Sequence, residues 1–336
     1  AYSCGADTLG IIFDKPAKGK RTATAGWYNT AAFEQIAQAD GLYAKTLNGD
    51  AYSAEMKEQT IETIKKDLGQ VDMVIYSIAA PRRTAPDGVT YKSVLKTTGE
   101  AYTNRTIDLR SNQLTEATIE PATQEEINNT IKVMGGEDWI LWIKALKDAG
   151  VLADGAKTVA YSYIGPELTY PIYKEGSIGQ AKKDLYASAD KIQEEVDGVE
   201  AYVSVNKAVV TQSSAAIPIV PLYLAILFKV MKEQNVQEGC IEQMYRMIHD
   251  RLCNGGEVVT DENRLIRMDD WEMEPKVQEA VAAIWEKIDQ DNLEEVTDLE
   301  GYWQEFYEIF GFCIDGVDYS ADVDADVQIP SIAPVE

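Results

Sequence analysis

Two side chains in the middle of the chain have the types and spacing that proton transfer needs. Tyr173 is followed nine residues later by Lys182. The hydroxyl of a free tyrosine has a pKa of about 10, and a neighbouring ammonium favours the phenolate, so such a tyrosine can act as a general acid. Ser177 and Gln180 have the spacing of a capping box, which predicts a helix from Ile178 with Lys182 in its second turn.

The elements around these residues alternate between strand-like and helix-like patterns. Continuous apolar runs are typical of strands that are buried on both faces of a parallel sheet. Helical patterns separate the runs, as in βαβ units. We therefore predict an α/β fold with a doubly wound parallel Rossmann-like sheet. The predicted strands are Thr8–Phe13, Leu42–Leu47, Val71–Ala79, Thr158–Ile164 and Ala201–Val205.

Two further regions elaborate this sheet. Residues 81–155 are an insertion longer than an ordinary crossover, with a hairpin predicted around Ser111–Asn112 and two helices after it. Residues 212–320 have mainly helical patterns and are expected to cover the substrate. Because no internal repeat or Pro/Gly-rich linker divides the chain, we expect residues 1–336 to form one elaborated domain.

Residues that follow the predicted strands are the candidate site, because ligands of open parallel sheets bind beyond the carboxyl ends of the strands. An acidic residue after the second strand of a Rossmann sheet binds the adenosine ribose and disfavours a 2′-phosphate, so Asp14 favours NAD over NADP. The basic residues from Lys15 to Arg21 could accommodate that phosphate, which leaves the preference open. The candidates are Asp14, Asp50–Ala51, Ile78–Ala79, Tyr163 and Val209–Thr211.

The composition argues against several classes of function. The chain has 31 Lys and Arg against 56 Asp and Glu, and its net charge of −25 repels nucleic acid. The longest apolar run, Ala215–Phe228, has 14 residues, whereas a membrane-spanning helix needs about 20, so no membrane association is expected. One histidine and four dispersed cysteines without a CxxC pair predict no metal site and a reducing, cytoplasmic setting.

Five strings of the sequence are long and unusual enough to indicate a family. They are AGWYN (25–29), VIYSIAAPRR (74–83), VMGGEDW (133–139), YSYIGPELTYPIYKEGSIGQAKKDL (161–185) and VSVNKAVVT (203–211). Together they resemble the trans-2-enoyl-CoA reductase family, which includes the FabV-type enoyl-[acyl-carrier-protein] reductases. The resemblance runs in order from the first residues to about Tyr319.

The resemblance implies a role for each candidate residue. Tyr173 matches the proton donor of the family, and Lys182 matches its partner, which also contacts the cofactor. Tyr163 matches a tyrosine that contacts the substrate. The implied cofactor-binding residues are Phe13 and Asp14 at the adenosine ribose, Asp50 and Ala51 at the adenine, Ile78 and Ala79 after the family's fourth strand, and Val209, Val210 and Thr211 at the nicotinamide.

One unit of the family pattern does not occur in this sequence. Members begin with an extra strand, a Gly-rich phosphate loop and a helix, whereas no GxGxxG is found here. A strand and its crossover helix take roughly 30 residues, and the first strand of the usual order 3-2-1-4-5-6 is central. We therefore expect an N-terminally truncated copy, lacking the first strand and the Gly-rich loop, with a gap in its sheet.

The activity implied by the resemblance is NADH-dependent reduction of the trans-2 double bond of an enoyl-CoA or enoyl-[acyl-carrier-protein], in fatty acid synthesis or butyrate-type metabolism. We expect a monomer that uses neither metal nor flavin. Tyr173 and Tyr163 would donate hydrogen bonds to the thioester oxygen, on which negative charge develops.

Two alternatives remain open. A short-chain dehydrogenase acting on a carbonyl usually has Tyr and Lys four residues apart on one helix. Tyr170 and Lys174 have that spacing, but Pro171 between them disfavours a helix. The other alternative is a non-catalytic Rossmann-type binding protein.

Overall fold

The apolar runs form parallel strands with helices between them in the computed structural model, which describes residues 1–332. The strands are β1 (Thr8–Ile12), β2 (Ala44–Asn48), β3 (Val71–Tyr76), β4 (Arg82–Thr84), β5 (Thr90–Lys92), β6 (Tyr102–Asp108), β7 (Gln113–Ile119), β8 (Leu152–Ser162), β9 (Val199–Val205) and β10 (Leu265–Arg267). The main helices are α1 (Ala25–Ala39), α2 (Ala54–Asp67), α3 (Gln124–Met134), α4 (Glu137–Asp148), α5 (Ser177–Glu195), α6 (Gln212–Ala216), α7 (Val220–Glu233), α8 (Cys240–Arg246), α9 (Pro275–Lys287), α10 (Leu293–Val296) and α11 (Leu299–Glu308).

The parallel strands fall into two groups. One group has the order β10-β9-β8-β3, and the other is the pair β1-β2. Within residues 1–332 no ladder of hydrogen bonds joins β1 to β3, so the predicted gap in the sheet is present. Both groups nevertheless contribute to one apolar core, because Leu9 of β1 and Val74 of β3 pack against the cluster that contains Trp139 and Ile143.

The region between β3 and β8 has the predicted elements. Strands β6 and β7 form an antiparallel hairpin that pairs Asp108 with Gln113. Asn112 in its turn has a φ of 51°, a left-handed conformation that asparagine tolerates. Helix α3 begins with a capping box between Thr123 and Glu126. The hairpin and both helices predicted here are therefore confirmed.

The capping box predicted at Ser177 is wrong. Helix α5 begins at Ser177 itself, and Gly176 is its N-cap. The Ser177 hydroxyl instead donates to the carbonyl of Val94 at 2.6 Å and accepts from the amide of Lys96 at 3.1 Å. A Cβ on residue 176 would lie 2.2 Å from the Ile172 carbonyl oxygen, so the close turn before α5 favours glycine at that position.

The region after β9 is mainly helical, as predicted. Helix α7 is almost wholly buried, and Leu222 and Phe228 on it are fully inaccessible to solvent. It packs against α9, α11 and the strand β6. None of the helices in the described part of the chain is long and apolar enough to cross a membrane.

Candidate active site

The predicted site residues lie just beyond the carboxyl ends of the parallel strands. Asp14 lies two residues beyond β1, Asp50 two residues beyond β2, and Tyr163 directly beyond β8. Ile78–Ala79 follow β3, and Val209–Thr211 follow β9. Because the strands within each group run parallel, their carboxyl ends lie at the same edge, which is where open α/β sheets bind ligands.

Two tyrosines meet at this edge. The rings of Tyr163 and Tyr173 pack edge to face with their centroids 4.8 Å apart. The Tyr163 hydroxyl donates to Oε1 of Glu272 at 3.1 Å, whereas the Tyr173 hydroxyl makes no hydrogen bond to any of residues 1–332. Burial, and next the charge of Glu272, raise the pKa of Tyr173. The Tyr173 hydroxyl is therefore protonated at neutral pH and has its proton free for a ligand.

Lys182 lies in the second turn of α5, as the sequence predicts. Its ammonium donates to the carbonyl oxygen of Tyr161 at 3.0 Å, and burial lowers its pKa to about 8. The ammonium was expected to lower the pKa of Tyr173, but that pKa is raised. In this structure Lys182 is held by the end of β8, and it remains largely charged at neutral pH.

Asp14 is fixed at the N-terminus of α1. Its Oδ1 accepts from the Thr24 hydroxyl at 2.7 Å, and its backbone amide donates to the Asn48 side chain at 3.0 Å. A Cβ on Gly26 would lie 2.6 Å from Asp14 Oδ2, so glycine leaves the room that this carboxylate occupies. The neighbouring Phe13 side chain is 80% exposed and free to contact a ligand. The pair offers a fixed carboxylate and an exposed aromatic ring beyond the end of β1.

The turn at Asp50–Ala51 is held by a buried ion pair. The carbonyl oxygen of Ala51 accepts from Trp142 Nε1 at 3.0 Å and from Lys57 Nζ at 3.2 Å. The same ammonium lies 2.9 Å from Oδ1 of Asp138, which is 1% exposed. Asp138 belongs to the string VMGGEDW, and its place beside Lys57 gives that string a structural role.

The segment Val209–Thr211 connects β9 to α6. Val210 is buried, while Thr211 is exposed and caps α6 by accepting from the Ser214 amide at 2.9 Å. On the other side of β8, Ile78 packs against the core cluster that contains Trp139 and Ile143. These residues offer backbone groups and apolar contacts at the sheet edge.

The alternative pair Tyr170 and Lys174 lacks the geometry of a catalytic pair. The residues after Glu167–Thr169 form turns, so the two side chains do not share a helix. The Lys174 ammonium lies over the face of the Tyr170 ring, 4.0 Å from its centroid. This is a cation–π contact with the ring, so the ammonium is not placed at the Tyr170 hydroxyl as a catalytic pair needs.

Sequence reasoning missed Glu272. It follows β10, a strand of only three residues that produces no recognisable apolar run. Its carboxylate contacts Tyr163, which lies 109 positions earlier in the chain. The usable signal was the string Asp269-Asp270-Trp271-Glu272, an acidic cluster around a tryptophan inside a mostly helical region.

Comparisons with known proteins agree with this geometry. Residues 21–253 match the family model described as the trans-2-enoyl-CoA reductase catalytic region. A trans-2-enoyl-CoA reductase [NADH] of Ruminiclostridium cellulolyticum is 55% identical over 99% of this chain and 85% of its own length. An enoyl-[acyl-carrier-protein] reductase [NADH] of Pseudomonas fluorescens is 56% identical over 98% of this chain and 83% of its own. The crystal structure of Treponema denticola trans-2-enoyl-CoA reductase in complex with NAD superimposes with a TM-score of 0.93 at 47% identity, over 98% of this chain and 82% of that one.

A second family model matches residues 260–323 and is described as an enoyl reductase FAD binding domain. That segment contains no GxGxxG. Its buried carboxylates are paired within the protein, Asp269 with Arg267 and Glu272 with two tyrosines. These residues do not fit a flavin pyrophosphate.

Proposed function

Because this chain belongs to the trans-2-enoyl-CoA reductase family, we propose that Tyr173 and Lys182 carry out its reaction and that Tyr163 contacts the substrate. The protein is an NADH-dependent reductase of the trans-2 double bond of enoyl thioesters. Its substrates are enoyl-CoA or enoyl-[acyl-carrier-protein], and its reaction belongs to fatty acid metabolism.

In the proposed chemistry, Tyr173 is the general acid. NADH, when bound, supplies the hydride that adds to Cβ of the enoyl thioester. Negative charge then develops on the thioester oxygen, where the Tyr173 hydroxyl donates a hydrogen bond. The proton that Cα gains comes from this hydroxyl or through it. The observation that carries this assignment is the protonated hydroxyl of Tyr173, which has no partner within residues 1–332 and lies beside Tyr163.

The cofactor contacts are proposed in the same way. Phe13 and Asp14 would hold the adenosine ribose, and Asp50–Ala51 the adenine. Val209–Thr211 would bind the nicotinamide, with Ile78–Ala79 beside it. The buried ammonium of Lys182, which is largely charged at neutral pH, would donate to the hydroxyls of the nicotinamide ribose.

We further propose that residues 1–336 act as one domain, as a monomer in the cytoplasm. What supports the single domain is one apolar cluster that combines the insertion with the C-terminal helices. Ile107 and Ile119 of the hairpin, Leu222 of α7 and Tyr302 of α11 all belong to it, and Tyr163 and Tyr173 pack against it. Residues 212–320 would therefore cover the substrate.

The test of this function compares two thioesters. Crotonyl-CoA should be reduced with loss of NADH absorbance, whereas acetoacetyl-CoA, which offers a carbonyl, should not. Consumption of NADH with the carbonyl substrate alone would support a short-chain carbonyl reductase instead. Absence of both turnover and NADH binding in a protein that also carries the family's N-terminal strand and Gly-rich loop would support a non-catalytic role.

A further inference from the structure

Glu272 is a buried carboxylate five residues beyond β10 that the roles assigned so far do not use. It is fully inaccessible to solvent. Its Oε1 accepts from the Tyr163 hydroxyl at 3.1 Å and from the Tyr223 hydroxyl at 2.6 Å. Its Oε2 accepts from the backbone amide of Ala208 at 2.7 Å. Both carboxylate oxygens are thus occupied by protein donors.

These three donors come from three different parts of the site. Tyr163 follows β8 and packs against the Tyr173 ring. Ala208 immediately precedes Val209–Thr211, the segment proposed to bind the nicotinamide. Tyr223 is on α7 and is also fully buried. One carboxylate is therefore hydrogen-bonded to one member of the tyrosine pair, to the residue before the proposed nicotinamide segment and to helix α7.

The direction of the hydrogen bond limits what Tyr163 can do. A tyrosine hydroxyl has one proton, and that of Tyr163 is donated to Glu272. Tyr163 can still accept a hydrogen bond, but it has no second proton for a substrate oxygen. Tyr173 has no such commitment within residues 1–332, so the two neighbouring tyrosines are not equivalent.

We propose that Glu272 is a positioning residue of the reduction, which holds Tyr163 against the proton donor Tyr173 and fixes Ala208 at the start of the nicotinamide segment. This inference rests on the proposed function of Tyr173 and Val209–Thr211. It predicts that Glu272 acts on turnover through Tyr163 and on cofactor affinity through Ala208.

Glu272→Gln separates the two effects. The glutamine has nearly the same shape, and its oxygen can still accept from the Ala208 amide, but its NH₂ group cannot accept from Tyr163 or Tyr223. We expect kcat with crotonyl-CoA to fall about tenfold or more, with little change in the KM for NADH. In Glu272→Ala all three contacts are lost, so kcat should fall and the KM for NADH should rise.

A double-mutant cycle distinguishes positioning from a general loss of stability. Tyr163→Phe removes the same hydrogen bond from its other end, so the double variant Glu272→Gln/Tyr163→Phe should have a kcat no lower than the worse single variant. The matched control is Asp269→Asn, which alters an equally buried carboxylate three residues away that pairs with Arg267. The control should keep wild-type kcat in the folded protein.

Three outcomes would overturn the inference. They are a kcat of Glu272→Gln within twofold of wild type, losses that multiply in the double variant, and an equal loss of kcat in Asp269→Asn. Failure of the proposed function has a different signature, because Tyr173→Phe would then retain turnover whatever Glu272 does.

Discussion

Tyr163 and Tyr173 lie edge to face, with ring centroids 4.8 Å apart and ring planes at 86°. The hydroxyl of Tyr163 is bound to Glu272, while that of Tyr173 has no partner in the described chain. Two residues of the same type, ten positions apart, therefore have different chemistry available to them. The ring of Tyr163 supports the ring of Tyr173, and the proton of Tyr173 is the one that a substrate can take.

Tyr173→Phe removes that proton and leaves the ring contact with Tyr163. We expect kcat to fall by about 10²–10⁴-fold, the usual contribution of a general acid, with NADH binding nearly unchanged. Steady-state kinetics with crotonyl-CoA and a fluorescence titration with NADH measure the two quantities. Tyr170→Phe is the control and should behave as wild type. A Tyr173→Phe enzyme with more than half of the wild-type kcat would show that another group supplies the proton.

We expect Lys182 to give the enzyme a pH dependence in cofactor binding. Its pKa is lowered to about 8 by burial, so the ammonium is lost as the pH rises through that value. The KM for NADH should therefore rise between about pH 7 and about pH 9. In Lys182→Met the KM should be high at both pH values and no longer depend on pH in this range.

The adjacent Lys183 is exposed and provides the control for this prediction. Lys183→Met should keep both the wild-type KM and its pH dependence. If Lys182→Met retains the rise in KM above about pH 8, the titrating group is another residue.

Asp14→Ala should relax the preference for NADH over NADPH. The carboxylate at the N-terminus of α1 would oppose a 2′-phosphate, and such a clash of like charges is worth no more than several kcal/mol. We expect partial relaxation, measured as the ratio of kcat/KM for the two cofactors. Asp72→Ala, at an exposed position of β3, should leave the ratio as it is. An unchanged ratio in Asp14→Ala would remove this residue from the ribose site.

Asp138→Ala tests the ion pair that holds the turn at Ala51. Removing one partner leaves the Lys57 ammonium buried without its countercharge, which costs about 3–5 kcal/mol of unfolding free energy. Urea denaturation measures that loss. Glu195→Ala removes the partner of Lys144 in an exposed pair and should cost no more than about 1 kcal/mol. Equal costs for the two variants would mean that Asp138 and Lys57 contribute no more than a surface pair.

Much of the fold could be predicted because long apolar runs such as Val71–Ala79 depend only on local pattern. The two helices predicted after the hairpin are α3, which begins at a capping box, and α4, which follows Gly136. Prediction failed where a side chain forms hydrogen bonds with residues that are distant in the sequence. Ser177 has the spacing of a cap, but its hydroxyl bonds to the loop at Val94 and Lys96.

The sequence indicated the candidate residues that follow the strands, but it did not indicate Glu272. A motif places Tyr173 and Lys182 near the carboxyl end of β8, because they follow that strand closely in the chain. Glu272 reaches Tyr163 because the short strand β10 pairs with β9 at the edge of the sheet. No local pattern in one sequence indicates that contact.

The central claim is that Tyr173 supplies the proton that Cα gains. The carbon atom that takes up a solvent proton tests this claim most directly. Crotonyl-CoA reduced with NADH in heavy water should give butyryl-CoA with one deuterium at Cα and none at Cβ, since the hydride reaches Cβ from the cofactor and the proton of Tyr173 exchanges with solvent. Tyr173→Phe should form this product far more slowly. Deuterium at Cβ, or wild-type formation of the Cα-labelled product by Tyr173→Phe, would contradict the account.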